Sequence, residues 1–259
     1  MAKYKIGATD GGDAGLDLSW VDKLGTVDGA VVITKCVSQE FSNAVIANKD
    51  KLIVHATTTG YGQSVLEPNV MLPFDQFCAV SALVLKGFPK EKIVIRVDPI
   101  IPTTKGISVT KDVIKMFMDF GFPRYRVSII DMYPHVRERF KQAHLPLPYG
   151  ESGFSPSHKQ VRAVDEMLSD MIEYWQSLRK QGIASGQLRI EGCAEPGLTN
   201  VIQCGCISDY DLNLLGLSED GVTDSAGYQR PHCMCYSGKV ELLKSNKRCK
   251  HGCLYCFWK

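Results

Sequence analysis

Residues 93–117 read IVIRVDPIIPTTKGISVTKDVIKMF. Ile93 to Val97 form an apolar, β-branched run interrupted by one arginine, the pattern of a short strand buried on both faces. Val109, Val113, Ile114 and Phe117 then recur at helical spacing, so a helix follows. Working outward, similar runs appear at Tyr4–Ala8, Ala30–Thr34, Leu52–Ala56, Val127–Asp131 and Leu188–Glu191. Helical spacing recurs between several of them. Phe74, Phe77, Cys78, Ser81 and Leu85 fall on one expected face. The stretch from His158 to Lys180 places Val161, Met167, Met171, Trp175 and Leu178 on one stripe, and Gly182 is positioned to stop it. Strand, helix, strand repeated about six times predicts a parallel sheet with helices outside. Six units are fewer than the eight of a closed barrel, so the expected fold class is α/β, a partial (β/α)6 TIM-like barrel. An open doubly wound sheet is the alternative. Either way, ligands collect at the carboxyl ends of the strands.

The chain has 259 residues, 44% of them hydrophobic, and a formal net charge of +2. That suits one sizeable core and supplies no global basic field demanding nucleic acid. The basic groups at Arg124 and Arg126, Arg137 to Lys141 and Lys244 to Lys250 read as solvated faces. No signal peptide and no apolar run of about 20 residues is visible, so a soluble, cytoplasmic protein with no membrane partner is expected. In reducing cytosol, ten cysteines point to metal or redox chemistry rather than to a disulfide framework. Seven of the ten lie between Cys204 and Cys256. The expected organisation is a partial barrel over 1–195 and a Cys-rich segment over 196–259 belonging to the same domain. That segment reads as loop held together by metal rather than by a large core.

Near the C-terminus the chain reads Cys249-Lys-His-Gly-Cys253-Leu-Tyr-Cys256. Three thiolates on one short loop can ligate three irons of a 4Fe-4S cubane and leave the fourth open. The amino and carboxylate groups of S-adenosylmethionine can chelate that iron, and an electron from the cluster can then release a 5′-deoxyadenosyl radical; such hard chemistry belongs to the cofactor, and the protein positions it. Zinc or unligated thiols are the alternatives. Cys193, Cys204-Gly-Cys206 and Cys233-Met-Cys235 form a second group, able to hold an auxiliary iron–sulfur cluster or a structural zinc, or to form a redox disulfide. Five cysteines compete there for four places. Cys36 and Cys78 stand alone and read as small buried apolar groups.

The spacing of Cys249, Cys253 and Cys256, with Tyr255 directly before the last, is similar to the signature of the radical S-adenosylmethionine superfamily. Along most of its length the chain resembles the domain of unknown function 1848 family, itself similar to spore photoproduct lyase. The resemblance is carried by Val32 to Lys35, Thr57 to Gly62 with Glu67-Pro68, Arg96 to Ile100, Cys193-Ala-Glu195, and the tail from Gln229-Arg230 to Cys256. It implies a circularly permuted barrel with the cluster motif at the C-terminal end. It also implies Cys193, Cys206, Cys233 and Cys235 as the second metal set, leaving Cys204 out. Gly7-Ala-Thr-Asp10 and Lys35-Cys36-Val37 depart from the family pattern.

Residues just after the strands supply the other candidates. Tyr61, Arg96 and Asp98 are the candidate catalytic residues. Lys35, Thr58, Thr59, Gly60, Asp131, Glu195 and Tyr255 are the candidate cofactor-binding residues. Lys35 can meet the S-adenosylmethionine carboxylate or be an ordinary exposed lysine. Thr57 to Gly62 can offer hydroxyls and backbone N–H groups. Arg96 and Asp98 lie two apart on one strand and share a face, so burial forces them to pair or to bind a ligand. Asp131 and Glu195 can fix ribose hydroxyls or a substrate amine. Tyr61, Tyr125, Tyr133 or a cysteine can return a hydrogen atom to a product radical. His135, His144 and His158 lack ligand spacing and read as solvated.

Three functions follow as expectations. One is a radical S-adenosylmethionine enzyme that isomerises or cleaves a nucleobase or modified thymine, as a nucleoside or in DNA, where the base would have to leave the stack. Another is the same cofactor acting on a peptide or small metabolite. The last is a zinc-stapled binding module without catalysis. The first two need a reductant such as flavodoxin or ferredoxin.

Overall fold

The apolar strand runs pair side by side because each buries both faces. The computed structural model describes residues 4–218, 234, 236, 238–243 and 248–258. Strands β1 (Ile6–Ala8), β2 (Gly29–Thr34), β3 (Leu52–Thr57), β4 (Ile93–Ile100), β5 (Arg124–Ile129) and β6 (Arg189–Cys193) match the six sequence runs. The Cys-rich tail adds β7 (Ile202–Cys204) and β8 (Lys239–Glu241). The expectation of about six strands is corrected to eight among the described residues: a three-residue strand is too short to show a period of two. The sheet order is β7-β6-β5-β4-β3-β2-β1-β8, and every adjacent pair is parallel. The order from β1 to β7 runs in one direction with no reversal, whereas a doubly wound sheet reverses at a switch point. The sheet therefore forms a curled half-barrel rather than an open doubly wound sheet.

Helices α1 (Gln39–Ala47), α2 (Pro73–Leu85), α3 (Thr104–Asp119), α4 (Pro134–Gln142), α5 (His158–Lys180) and α6 (Asp209–Leu214) complete the described α-helices. Ser157 and Gln160 form a capping box at the start of α5, and Gly182, at φ +74°, follows its end. None of these helices is long and apolar enough to cross a membrane.

Alternation sorts the strand side chains onto two faces. Ile93, Ile95 and Val97 join the main core with Val113, Ile114 and Phe117 of α3 and Val164, Leu168 and Met171 of α5. Val94 joins Ile6, Val31 and Ile53 on the concave face, capped by Ile207, Leu212 and Tyr236 of the tail. Leu242 and Leu243 enter the main core. The described part of the tail thus has apolar anchors in the core, where the expectation gave that role to metal.

Two further expectations fail. Phe74, Cys78 and Leu85 are exposed, while Gln76, Val80, Ser81 and Leu83 form the buried face of α2. That helix is apolar on both sides, so its periodicity could not choose the inner one. Arg124 and Arg126 are buried, not solvated. Their guanidinium groups reach Glu191 Oε2 at 3.2 and 2.7 Å, and Arg124 also reaches Asp211 Oδ1 at 2.8 Å. Arg126 further donates to the carbonyls of Gly205 and Cys206 at 2.9 and 2.8 Å. This ionic layer ties β5, β6 and the start of α6 together across the concave face.

A candidate active site at the carboxyl ends of the strands

Above the ionic layer lies a cavity of about 470 Å³. The strand ends supply Asp10, Lys35, Thr57, Asp98, Ser128, Asp131 and Cys193 to its wall. The end of the chain supplies Cys249, His251, Cys253, Tyr255, Cys256, Phe257 and Trp258. A parallel half-barrel presents the ends of all its strands at one rim, which explains how residues some 240 positions apart meet there.

The cysteine loop is fastened from several sides. Asp13, in the loop after β1, accepts from His251 Nε2 and from the Lys35 N–H at Oδ2 (2.8 and 2.7 Å). Its Oδ1 accepts from Thr34 Oγ1 and the Gly15 N–H (2.6 and 2.8 Å). Burial would raise the Asp13 pKa, but these bonds and the His251 charge outweigh it and the pKa is lowered. His251 Nδ1 lies 3.2 Å from the Asn69 carbonyl, so both ring nitrogens face acceptors. A doubly protonated imidazolium satisfies both, and although burial opposes it, the Asp13 bond and charge raise the His251 pKa. Gly15 is required by close approach: a Cβ there would stand 1.9 Å from the Cys36 carbonyl oxygen.

Glu67 makes the second anchor. Lys35 Nζ donates to Glu67 Oε1 at 2.8 Å and to the Tyr255 hydroxyl at 2.9 Å, and that hydroxyl donates in turn to Glu67 Oε1. Burial alone would lower the Lys35 pKa; Glu67, with the neighbouring Cys253, raises it. The Leu254 N–H donates to the Leu66 carbonyl at 3.0 Å, and Asn69 Nδ2 to the Lys250 carbonyl at 2.9 Å. Arg139 of α4 donates to the carbonyls of Cys256 and Trp258 at 2.6 and 2.8 Å. Gly252, at φ +68°, makes the turn between Cys249 and Cys253.

Thiols are the donor type an iron–sulfur cluster takes. Cys249, Cys253 and Cys256 are free thiols facing one cavity. Among the described residues no group of three His, Cys, Asp or Glu is gathered as ligands of a single metal ion. A cubane asks for something else, because each thiolate takes its own iron. Burial pushes the Cys253 thiol up to about 12, with Lys35 opposing.

The remaining candidates divide. Arg96 Nε and Nη2 donate to Asp98 Oδ2 at 2.9 and 2.5 Å, so the expected shared face holds an ion pair. Asp98 reaches the cavity wall. Asp10 pairs with Lys239 at 2.5 Å; burial and the nearby Cys206 raise its pKa. Thr58 and Thr59 are buried, and Gly60 packs against Val109 of α3; all three lie behind the wall. Tyr61 packs beside Gly106 and shares a small apolar cluster with Val70 and Ile101, where burial pushes its hydroxyl up to about 12. Tyr125 turns to the main core, while Tyr133 lines the cavity. Glu195 Oε1 accepts from Ser128 Oγ and the Ile129 N–H at 2.8 and 2.9 Å, bracing the end of β5. His144 and His158 are exposed, and His135 stacks on Tyr133.

In the second cysteine group, Cys193 lines the cavity and stands in register with Cys204 on β7. Cys204 is buried, with its thiol pushed up to about 12 by that burial. Cys206 lies within electrostatic reach of Asp10 and Arg96. Cys233 and Cys235 lie outside the described residues.

Asp13 and His251 are the site residues that sequence reasoning missed. Asp13 sits in a glycine-rich run that reads as a plain turn, and His251 was hidden by the cysteines around it. Glu67 was quoted only as part of a resemblance; its burial is a tertiary fact.

Comparison with curated proteins finds no match. The family model described as "Domain of unknown function (DUF1848)" matches residues 21–258, nearly the whole chain, and the protein belongs to that family.

Proposed function

We propose that this protein is a radical S-adenosylmethionine enzyme built on a permuted partial TIM-like barrel. One observation carries the reading: Cys249, Cys253 and Cys256 face the same cavity as the polar carboxyl ends of β1 to β6. When bound, a 4Fe-4S cluster with S-adenosylmethionine supplies a 5′-deoxyadenosyl radical that removes a hydrogen atom from substrate.

The three cysteines would hold the cluster. Lys35, Thr57, Ser128 and Asp131, on the cavity wall, would orient the bound molecules. Arg96 fixes the carboxylate of Asp98 at the wall, giving a pre-oriented acceptor for a substrate N–H or O–H. Tyr133 is a cavity-lining residue able to return a hydrogen atom, whereas Tyr61 and Tyr125 are packed away. Cys193 and Cys206, with Cys233 and Cys235, remain the proposed second metal set.

The substrate reading is isomerisation or cleavage of a nucleobase-sized group. The lining includes Asp10, Asp13, Asp98 and Asp131 but only one lysine or arginine among the described residues, Lys35, which is engaged by Glu67. Asp10, Asp13 and Asp98 are themselves paired with Lys239, His251 and Arg96, so among the described lining residues no unengaged cation is left to meet a phosphate backbone, which favours a nucleoside, small metabolite or peptide over a DNA strand. Anaerobic reconstitution, reduction by dithionite, and a 5′-deoxyadenosine assay against nucleoside, peptide and DNA panels tests the reading. Substrate-stimulated 5′-deoxyadenosine supports it. A colourless protein with stoichiometric zinc that leaves S-adenosylmethionine intact points to the zinc-stapled module instead.

A further inference from the structure

The cysteine loop is bound on two sides by carboxylates that come from different strand-end loops and are themselves buried. Asp13 is a pure acceptor surrounded by four donors: His251, the Lys35 N–H, Thr34 and the Gly15 N–H. Glu67 accepts from Lys35 and from the Tyr255 hydroxyl. One carboxylate therefore grips His251, between Cys249 and Cys253, and the other grips Tyr255, between Cys253 and Cys256. Each is turned toward protein donors, so neither is a catalytic residue. The loop these bonds define also carries its own backbone ties, chief among them Leu254 N–H to the Leu66 carbonyl at 3.0 Å.

We infer that Asp13 and Glu67 are positioning residues that hold residues 249–256 in their ligand-presenting shape before any metal arrives. The inference rests on the reading of those cysteines as cluster ligands, and it reverses the usual order for a small metal loop, in which the metal does the folding. It follows from the count of buried bonds: an acceptor whose donors are all protein groups needs no metal to keep them, and losing one partner strands buried donors. Substituting Asp13 by Asn makes the point sharply. Whichever way the amide is turned, an N–H faces a backbone N–H, because Gly15 donates to one oxygen and Lys35 to the other.

Hydrogen–deuterium exchange on the metal-free, reduced full-length chain tests this, read at the Leu254 amide and across 249–258. The wild type is expected to protect Leu254. Asp13→Asn and Glu67→Gln are each expected to speed its exchange about tenfold or more, while the amides of α5 keep their wild-type rates. Lys111→Ala, which breaks the exposed pair with Asp170, is the control and leaves Leu254 unchanged. If either carboxylate variant loosens the whole chain, Tyr255→Phe and His251→Leu remove the same bonds from the loop side and decide by the same readout. An unprotected wild type, or variants with wild-type exchange at Leu254, overturns the inference. Iron uptake is measured in parallel. A protected wild type that takes up no iron sinks the cluster reading and leaves the positioning intact. A wild type that binds iron but is unprotected beforehand does the reverse.

Discussion

His251 Nε2 stands 2.8 Å from Asp13 Oδ2, joining the last ten residues of the chain to the loop after its first strand. Both residues are buried, so the two ends of the chain are locked by a bond shielded from solvent.

Deleting residues 249–259 removes His251 from Asp13 and Tyr255 from Glu67 together. Asp13 keeps Thr34 and two backbone N–H groups and Glu67 keeps Lys35, so the cost is that of two lost charge-assisted hydrogen bonds, roughly 3 kcal/mol or more, seen as a lower urea midpoint for the truncated chain. A midpoint within error of the full chain would mean the tail contributes nothing to the fold.

Arg126 lies in the ionic layer, bonded to Glu191 and to two carbonyls of the tail. Arg126→Ala leaves Glu191 and those carbonyls short of a donor in a dry place. A destabilisation of about 3–5 kcal/mol is expected in chemical denaturation. Arg162→Ala, which breaks an exposed pair with Glu166, is expected to change stability by less than about 1 kcal/mol.

The same layer sets an acid limb. Burial would raise the Asp211 pKa, but Arg124 and Arg126 hold it far below the ordinary carboxylate value. A group depressed in the folded state stabilises the fold at pH values above its unfolded pKa and loses that contribution as pH falls toward the folded pKa. Stability should therefore decline progressively below about pH 4. Asp211→Asn should start lower at neutral pH and show a flatter decline, measured by urea midpoints from pH 3 to pH 7. An equally steep limb in the variant would place the acid sensitivity elsewhere.

Arg96 and Asp98 are only partly shielded, with side chains 21% and 26% exposed. Their pairing should add little to stability, about 1 kcal/mol at most. Its value lies in orientation. Arg96→Gln is expected to keep the iron content and the fold while slowing substrate-stimulated 5′-deoxyadenosine formation by about a hundredfold. Full activity in this variant would remove the pair from the proposed site.

Much of the fold was legible. The runs around Ile53, Val94 and Val127 are buried on both faces, and nothing but a strand in a covered parallel sheet suits them. The start of β5 was not legible, because Arg124 and Arg126 look like surface charge until Glu191 and Asp211 come into contact with them. The short strands β7 and β8 carry too few residues for any pattern. At the site, Cys249, Cys253 and Cys256 announce themselves by spacing, and Arg96 with Asp98 by sharing a strand face. Asp13, Glu67 and His251 do not, since each acquires its role from a partner at least 22 residues away in sequence.

We propose that Cys249, Cys253 and Cys256 hold a redox-active cluster beside S-adenosylmethionine. The direct measurement is iron content together with 5′-deoxyadenosine yield after anaerobic reconstitution, for the wild type and for the variant with all three cysteines replaced by alanine. A brown wild type with about four irons for this site and 5′-deoxyadenosine on reduction is expected, and a variant that makes none. If the second cysteine group holds a cluster of its own, the variant retains about half the iron. A variant that matches the wild type in 5′-deoxyadenosine, or a wild type that binds zinc and no iron, would contradict it.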